Sequence, residues 1–243
     1  MEFWYGRTGV ARVVNGVRMQ VLPQFRWYFA ETYDLQVADV LRREARPGAM
    51  SFSVGANLGV YPLQFAAWTA PNGRVVAFEP NPTSAGFLRR HVAMNNLTDR
   101  IDVIDRAVSD QQGEATLFAA GTDGMSRLGA PNPLLGVAAT AITVETETLD
   151  EFRRRSGLKP DLVMIDVEGF EQRVLAGARS LLTAAALPTT VVEMHPNAWA
   201  NAGGDDRSFK ALLDGMDLVA TPLSGQRDPF TDYGHVLLER RPS

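Results

Sequence analysis

The chain has 243 residues, 45% of them hydrophobic, which suffices for one α/β domain that buries about 70 to 75% of its unfolded surface. Its formal net charge of -4 and pI near 5.5 exclude the basic surface typical of nucleic-acid-binding proteins. The absence of cysteine excludes disulfides, thiolate metal sites and a cysteine nucleophile. A second enzyme domain does not fit in this length.

The N-terminus, residues 1–7, lacks a basic region followed by an apolar one, which is the pattern of a secretory signal. No apolar run approaches the roughly 18 residues that a membrane span needs. We therefore expect a cytoplasmic protein with neither a membrane nor a nucleic-acid partner.

The first predicted element is a β-hairpin. Strand-like runs at 10–15 and 17–22 meet at Asn15-Gly16, a dipeptide that favours a type I′ turn. Asp34 is placed to cap a helix that extends to about residue 45. We interpret residues 1–45 as an N-terminal extension and residues 46–243 as the cofactor-binding domain.

The next segment has the pattern of a nucleoside-binding strand, turn and helix. Apolar residues at 50, 52 and 54 predict a strand, Gly55 and Gly59 permit a tight turn, and residues 61–70 predict a helix. A second strand ends at Glu79, where an open α/β sheet offers a carboxylate to ribose hydroxyls. Because the turn lacks the G-x-G-x-x-G pattern that holds a pyrophosphate, we interpret the ligand as S-adenosylmethionine (SAM) rather than NAD.

Strands and helices continue to alternate along the chain, which predicts a doubly wound, mainly parallel sheet. A long segment without periodicity, 121–139, interrupts them and indicates a functional or mobile loop. The further predicted helices are 82–95, 150–156, 170–182 and 209–216, and the further strands are 101–108, 115–119, 141–148, 161–167, 189–194, 218–221 and 234–239.

Polar side chains follow five of the predicted strands at their carboxyl ends, where sheets of this kind bind ligands. We therefore expect them to share one rim of the sheet. They are Ser53 and Asn57, Glu79, Asp105 to Ala107, Asp166 and Glu168, and Glu193 with His195.

Most of these residues also have a simpler explanation. Asn57 suits a turn whether or not it contacts a ligand, and Glu79 is suited to stabilise the next helix N-terminus. Asp166 and Glu168 are suited to cap the following helix, although two acids and a glycine exceed what a cap needs.

The three histidines differ in their predicted roles. His195 ends a predicted strand, and because histidine titrates near neutrality it is suited to remove a proton, although it is also consistent with a polar strand end. We interpret His91, on a helix, and His235, on the last strand, as structural or solvent-facing.

Taken together, these motifs resemble the FkbM family of SAM-dependent methyltransferases, which has the class I methyltransferase fold. The resemblance covers about residues 45–200 and implies a seven-stranded, Rossmann-like sheet. Six segments carry it in order: S-V-G-A-N-L-G at 53–59, F-E-P-N-P at 78–82, N-N at 95–96, T-L-D-E-F at 148–152, D-V-E-G-F-E at 166–171 and E-M-H at 193–195.

Two positions depart from the family pattern. Ser53 stands where the family has an acid, so a carboxylate for the methionine amino group is missing there. Met164 stands where many members have a lysine, so no role of that lysine transfers to this chain. Another acid has to compensate for Ser53, or the affinity for SAM is weakened.

The resemblance implies methylation of a hydroxyl on a sugar or polyketide-like small molecule, as in natural product biosynthesis. Because methyl transfer needs the hydroxyl proton removed, we interpret His195 as the general base, with Asp166 or Glu168 orienting it or binding the acceptor hydroxyl; the opposite assignment of these roles stays open. These three side chains are also compatible with a divalent ion such as Mg²⁺, but we assign no metal site.

The implied cofactor residues lie in the turn after the first strand and at the ends of the next strands. They are Ser53, Gly55, Ala56, Asn57, Gly59, Tyr61, Glu79, Pro80, Asp105, Arg106, Ala107 and Asp166. Residues 121–136, 196–199 and 222–233 are expected to build the acceptor pocket. Its candidate residues are Met125, Ser126, Arg127, Glu193 and Trp199, and Trp199 and Tyr233 suit either stacking on a sugar or packing.

Two other functions remain open from the sequence. An NAD-dependent oxidoreductase shares the acid at Glu79, and a non-catalytic SAM-binding or partner-binding module is consistent with Ser53 and Met164. The oligomeric state is open as well, with a homodimer compatible with the N-terminal aromatic residues Trp4, Tyr5, Phe25, Trp27, Tyr28 and Phe29.

Overall fold

A computed structural model describes residues 9–122, 124–131 and 139–242. Part of the predicted loop (residues 123 and 132–138) and the aromatic residues Trp4 and Tyr5 lie outside this range. The strands are β1 Val10–Val14, β2 Val17–Val21, β3 Met50–Val54, β4 Arg74–Phe78, β5 Ile101–Ile104, β6 Ala107–Val108, β7 Gly113–Ala119, β8 Arg127–Leu128, β9 Thr140–Glu147, β10 Leu162–Ile165, β11 Thr189–Met194, β12 Leu218–Pro222 and β13 Gly234–Arg240. The α-helices are α1 Leu35–Glu44, α2 Val60–Trp68, α3 Pro82–Met94, α4 Leu149–Ser156, α5 Glu171–Ala176, α6 Arg179–Leu182 and α7 Asp206–Asp214.

The largest sheet has seven strands in the order β12-β13-β11-β10-β3-β4-β5. Its pairs from β11 to β5 are parallel, whereas β13 is antiparallel to both β11 and β12. The α/β class is confirmed, but the mainly parallel sheet is matched only in part, because β13 makes the sheet mixed. No helix of the described residues lies between β12 and β13, and a parallel return needs a longer crossover than their short loop provides.

Alternating residues of the central strands face two separate apolar layers. Phe52 and Val76 pack with helices α4 to α7 on one side, and Val75 and Met164 pack with α1 to α3 on the other. Because both faces of the sheet are buried, the sequences of these strands are continuous apolar runs. The carboxyl ends of the parallel strands are left as the polar rim.

A second sheet, of four strands in the order β6-β9-β7-β8, lies apart from the seven-stranded one. The prediction of one strand over 101–108 is wrong, because this segment divides into β5 in the large sheet and β6 in the second sheet. Asp105 and Arg106 interrupt that strand because they form surface ion pairs with Arg89 and Glu145, at 2.8 and 2.7 Å. The chain then leaves the large sheet and pairs with β9.

The predicted helix 170–182 is wrong as one element, because it divides into α5 and α6. Gly177 separates the two helices and lies against the backbone carbonyl of Ser109, so closely that a Cβ there would overlap it. The helix is therefore interrupted at the point where it packs against Ser109, which follows β6 of the second sheet.

The predicted N-terminal hairpin is present, with Asn15 and Gly16 both at positive φ. Its strands pack through Val14 and Met19 into the apolar layer that contains α1 to α3. The predicted capping by Asp34 is wrong, because Asp34 adopts a left-handed conformation at the start of α1 and makes no side-chain cap bond. None of the helices in the described ranges is long and apolar enough to cross a bilayer.

Candidate active site

The turn after β3 brings three backbone segments together. Gly55 has a φ of +80°, and a Cβ there would overlap the carbonyl oxygen of Asp166, so only glycine fits. The amides of Gly55 and Ala56 donate to the carbonyl oxygen of Phe78 at 3.0 and 2.9 Å. The ends of β3, β4 and β10 are thereby held together and form the floor of a pocket.

Glu79 follows β4 and is 6% exposed. Its Oε2 accepts a hydrogen bond from the amide of Asn57 at 2.7 Å, and its Oε1 accepts one from the amide of Asn81 at 2.8 Å. Burial raises the pKa of Glu79 to about 7, although both hydrogen bonds favour the charged form. The carboxylate is fixed in orientation, and each oxygen keeps a lone pair for a ligand hydroxyl.

A pocket of about 600 Å³, part of it open to solvent, lies over this turn. Seven of the predicted cofactor residues line it: Gly55, Asn57, Glu79, Pro80, Arg106, Ala107 and Asp166. Val108, Leu117 and Leu128 add an apolar wall from the second sheet, which the sequence analysis did not anticipate.

The other predicted cofactor residues lie outside the pocket lining. Ser53 and Ala56 are buried behind it, and Gly59 precedes α2. Tyr61 donates from its hydroxyl to Oδ2 of Asp34 at 2.9 Å. Asp105 faces solvent in its ion pair with Arg89.

Three carboxylates gather beside this pocket at the ends of β10 and β11. Burial raises the pKa of Asp166 well above its usual range, and the charges of Glu193 and Glu168 raise it further. Burial also opposes the charge of Glu193, but His235 and His195 outweigh it and lower the Glu193 pKa to about 2. The surroundings therefore favour the protonated form of Asp166 and the ionised form of Glu193. Oδ1 of Asp166 is buried without a hydrogen-bond partner in the described residues.

His195 is oriented by a carboxylate that the sequence analysis did not select. Its Nδ1 lies 2.7 Å from Oε1 of Glu171, and its Nε2 lies 3.7 Å from Oε1 of Glu168. Burial opposes the imidazolium, but the Glu171 hydrogen bond and the charges of Glu171, Glu193 and Glu168 raise the pKa of His195 to about 9. Because Nδ1 is bound to Glu171, Nε2 is the ring nitrogen that can exchange a proton, and it lies next to Glu168, which lines the pocket.

Asp166, Glu168 and His195 could together hold a metal ion, since one donor atom from each lies within 4.8 Å of the others. Arg127 argues against a divalent cation there. Its guanidinium is 6% exposed and lies 3.3 Å from Oε2 of Glu168, so a fixed positive charge already pairs with that carboxylate. A divalent ion would be repelled by this buried charge, and we assign no metal to the site.

Comparison with known families agrees with this arrangement. Residues 53–224, more than half of the chain, match the family model described as the methyltransferase FkbM domain. The chain belongs to the FkbM methyltransferase family. The match extends past the last motif at 193–195 to β12 and ends before β13.

Three curated relatives of this FkbM-family chain carry methyltransferase names. The chain is 33% identical over 161 residues to "31-O-demethyl-FK506 methyltransferase FkbM" of Streptomyces tacrolimicus, covering 55% of this chain and 61% of the relative. It is 27% identical over 151 residues to "2-O-methyltransferase NoeI" of Sinorhizobium fredii, covering 57% and 60%. The third, "Hexuronic acid methyltransferase AglP" of Haloferax volcanii, is 26% identical over 198 residues, covering 79% and 72%. The aligned part of the chain thus spans about three fifths of the first two relatives.

Solved structures agree with the fold. A methyltransferase FkbM from Methylobacillus flagellatus has a TM-score of 0.50 at 14% identity, over 82% of this chain and 50% of that one. A putative rRNA-methylase from Clostridium thermocellum has a TM-score of 0.52 at 13% identity, over 85% and 94%. At these identities the likeness establishes the fold alone.

The predicted acceptor residues of this FkbM domain have different surroundings. Ser126 lines the pocket, and its hydroxyl accepts hydrogen bonds from Ala120 and from the Asn81 side chain, which holds the loop over the pocket. Met125 is half-buried next to Ser126. Trp199 is 2% exposed, and its Nε1 donates to Oε2 of Glu171 at 2.7 Å, so it is part of the core.

The sequence did not single out Glu171, which is fully buried and forms the last position of the D-V-E-G-F-E segment, where its spacing from Asp166 was the available signal. His235 was predicted to be structural or solvent-facing. It is buried, with Nε2 3.5 Å from Oε2 of Glu193, which agrees with the structural alternative. No local pattern predicted that β13 would pair with β11 at Glu193 and His235.

Proposed function

We propose that this protein transfers a methyl group from SAM to a hydroxyl of a small molecule. The observation that carries the proposal is the hydrogen-bonded pair of His195 and Glu171, with Nε2 of His195 3.7 Å from Glu168, a residue that lines the pocket over Glu79. When bound, SAM supplies an electrophilic methyl group on a sulfonium centre. The acceleration then depends on positioning the acceptor and removing its proton.

The pocket fits SAM by the chemistry of its walls. Glu79 offers two oriented oxygens to ribose hydroxyls, and the wall of Val108, Leu117 and Leu128 suits an adenine ring. Asp166 has a buried, unpartnered Oδ1 in this pocket, and a cation beside it favours its ionised form. Asp166 is thus the acid that compensates for Ser53 toward the methionine ammonium group.

His195 takes the acceptor proton at Nε2. Because Glu171 holds Nδ1, the ring orientation is fixed and the imidazolium formed during the reaction is stabilised. General base catalysis of this kind contributes about 10² to 10⁴ in rate. With a pKa of about 9, His195 is mainly protonated at neutral pH in the free protein, so the reacting form is its minority neutral imidazole.

The acceptor atom is a hydroxyl oxygen on this account. The first two relatives have names that specify O-methylation, and the third is named for a hexuronic acid. Near the site, Tyr233 donates a hydrogen bond to Glu193 and Tyr61 donates one to Asp34, so carboxylates that accept hydrogen bonds from hydroxyls are present there.

The test is an assay of S-adenosylhomocysteine (SAH) release from SAM with a panel of glycosides and hydroxylated macrolactones. We expect release that depends on the acceptor and falls at least about 100-fold in His195→Gln. Asp206→Asn, a change at the exposed surface of α7, is the matched control and leaves the rate unchanged. Full activity of His195→Gln would show that another group removes the proton.

The two alternatives that the sequence left open are distinguished by measuring SAH and NADH binding beside this assay. A non-catalytic SAM-binding module would bind SAH but release none from SAM with any acceptor. An NAD-dependent oxidoreductase would bind NADH instead, although the turn lacks the phosphate-binding glycines.

A further inference from the structure

The turn after β3, residues 55–59, is contacted by the N-terminal extension, which the structure describes over residues 9–45. We call residues 55–59 the cofactor turn. Nδ2 of Asn57 donates a hydrogen bond to the hydroxyl of Tyr28 at 2.8 Å. Asn57 lines the pocket, whereas Tyr28 lies outside the pocket lining. The extension therefore reaches the cofactor turn without contributing this side chain to the pocket itself.

Asn57 has a backbone conformation that other contacts have to support. Its φ is +43°, in the left-handed region that is uncommon outside glycine, although asparagine tolerates it better than most residues. In this conformation its amide donates to Oε2 of Glu79 at 2.7 Å. Because the Tyr28 hydroxyl fixes the side chain of the same residue, it also restrains the direction of the Asn57 amide toward Glu79.

A second connection between the extension and the cofactor turn passes through His91. The amide of Leu22 donates to Nε2 of His91 at 3.1 Å, so the ring proton is on Nδ1, which donates to the carbonyl oxygen of Leu58 at 2.8 Å. Burial lowers the pKa of His91, in agreement with a neutral ring. The rings of Phe25 and Phe29 lie edge-on to His91, at 6.0 and 5.1 Å. Two successive residues of the cofactor turn are thus held from the extension.

The loop over the pocket packs against the bond between Asn57 and Tyr28. A Cβ on Gly124, which has a φ of +77°, would lie 3.0 Å from Nδ2 of Asn57 and 3.5 Å from the hydroxyl oxygen of Tyr28. Gly124 also lines the pocket. The bond therefore lies where the extension, the cofactor turn and this loop meet.

We propose that Tyr28 is a positioning residue for cofactor binding, whose hydroxyl holds Asn57 so that the Asn57 amide orients the Glu79 carboxylate. This inference rests on the proposed function and assigns a part in it to the N-terminal extension. Tyr28 precedes residue 53, where the match to the family model begins, so this role does not follow from the matched domain.

The ionisation of Glu79 reports on this arrangement. Burial raises the pKa of Glu79 to about 7, against the hydrogen bond from the Asn57 amide, which favours the carboxylate. Burial also raises the pKa of Tyr28 to about 12, so Tyr28→Phe exchanges one neutral side chain for another and keeps the ring. A change in the Glu79 pKa then comes from a displaced amide and not from a changed charge. The other charged side chains that face Glu79 or its pocket stay in place: Asp105, Arg106, Asp166 and Glu168.

The test combines calorimetric titration with SAH and NMR titration of the side-chain carboxyl carbons of the ligand-free protein, in which Glu79→Gln assigns the Glu79 signal. In Tyr28→Phe we expect SAH to bind at least about fivefold more weakly. We expect the Glu79 pKa to rise by at least about half a unit, because the carboxylate loses an oriented donor. Trp27→Phe is the matched control, since it changes the neighbouring aromatic residue, which is 73% exposed, and should alter neither value.

A double-mutant cycle tests whether Tyr28 acts through Asn57. Asn57→Gly keeps the backbone amide and tolerates a φ of +43°, but it has no side chain for Tyr28 to hold. In the Asn57→Gly protein, adding Tyr28→Phe should therefore change SAH affinity by less than about twofold.

Equal SAH affinities of Tyr28→Phe and wild type would overturn the proposal, and so would losses that add in the double variant. A weaker affinity with an unchanged Glu79 pKa would also overturn it, because Tyr28 would then act without orienting Glu79. The NMR comparison needs no ligand. It therefore separates a failure of this inference from a failure of the proposed function, in which wild type does not bind SAH.

Discussion

Glu171 binds His195 and Trp199 at the same time: its Oε1 lies 2.7 Å from Nδ1 of His195, and its Oε2 accepts from Nε1 of Trp199 at 2.7 Å. The Gly169 amide also donates to Oε1, at 2.8 Å. A fully buried carboxylate with three donors is held in one orientation, and His195 is held with it. The core tryptophan and the proton-accepting histidine are therefore parts of one hydrogen-bonded unit.

Replacing Glu171 by Gln should lower the pKa of His195. The hydrogen bond and charge of Glu171 contribute most to the pKa of about 9, and without them burial, which disfavours the imidazolium, is opposed only by the charges of Glu193 and Glu168. We expect a fall of at least about two units, measured by NMR titration of the ring nitrogens. The chain has three histidines, so His195→Gln assigns the signal. An unchanged titration near pH 9 would show that Glu171 does not set the charge of His195.

Replacing Gly55 by Ala should destabilise the protein by more than about 3 kcal/mol and abolish SAH binding, because a Cβ would overlap the Asp166 carbonyl as well as strain the backbone. Gly48→Ala is a matched control, since Gly48 has a similar φ of +84° but nothing within 4 Å of a Cβ. It should cost about 1 kcal/mol. Urea denaturation of both variants measures the difference, and equal losses would contradict the described contact.

Replacing Trp199 by Phe should lower the free energy of unfolding by about 1.5 to 3 kcal/mol, since it removes a hydrogen bond to a buried carboxylate. Trp27 is 73% exposed, and Trp27→Phe should change stability by less than about 0.5 kcal/mol. Thermal and urea unfolding test this contrast. A stable Trp199→Phe protein with weakened acceptor binding would instead restore the substrate-stacking interpretation.

Removing divalent cations should leave methyl transfer unchanged. The buried guanidinium of Arg127 already pairs with Glu168, which is one of the three side chains that could hold a metal. Rates with EDTA and with added Mg²⁺ should agree within about twofold. A loss with EDTA that Mg²⁺ restores would show that Asp166, Glu168 and His195 bind a cation despite Arg127.

The sequence was sufficient to predict those parts of the site that depend on local patterns. Gly55, Glu79 and Asp166 each follow an apolar strand, and parallel strands bring their carboxyl ends to one rim. The β-hairpin at Asn15-Gly16 was predicted for a similar local reason, because that dipeptide tolerates positive φ.

Contacts between distant segments could not be predicted in this way. Asp34 lies beside His235 because β13 pairs antiparallel with β11 and α1 packs on the same side of the sheet, and a capping pattern alone assigned Asp34 to its helix. Asp105 and Arg106 were assigned to a strand because the flanking residues are apolar, whereas in the structure the strand is interrupted there and both side chains form ion pairs at the surface.

The most direct test of the central claim is calorimetric titration of the purified protein with SAH, comparing wild type, Glu79→Gln and Asp206→Asn. If the pocket binds SAM through Glu79, wild type binds SAH, Glu79→Gln binds at least about tenfold more weakly because the hydrogen bonds to a charged acceptor are lost, and Asp206→Asn, at the exposed surface, binds like wild type. Absence of SAH binding by folded, ligand-free wild type, or equal affinities of Glu79→Gln and wild type, would contradict the account.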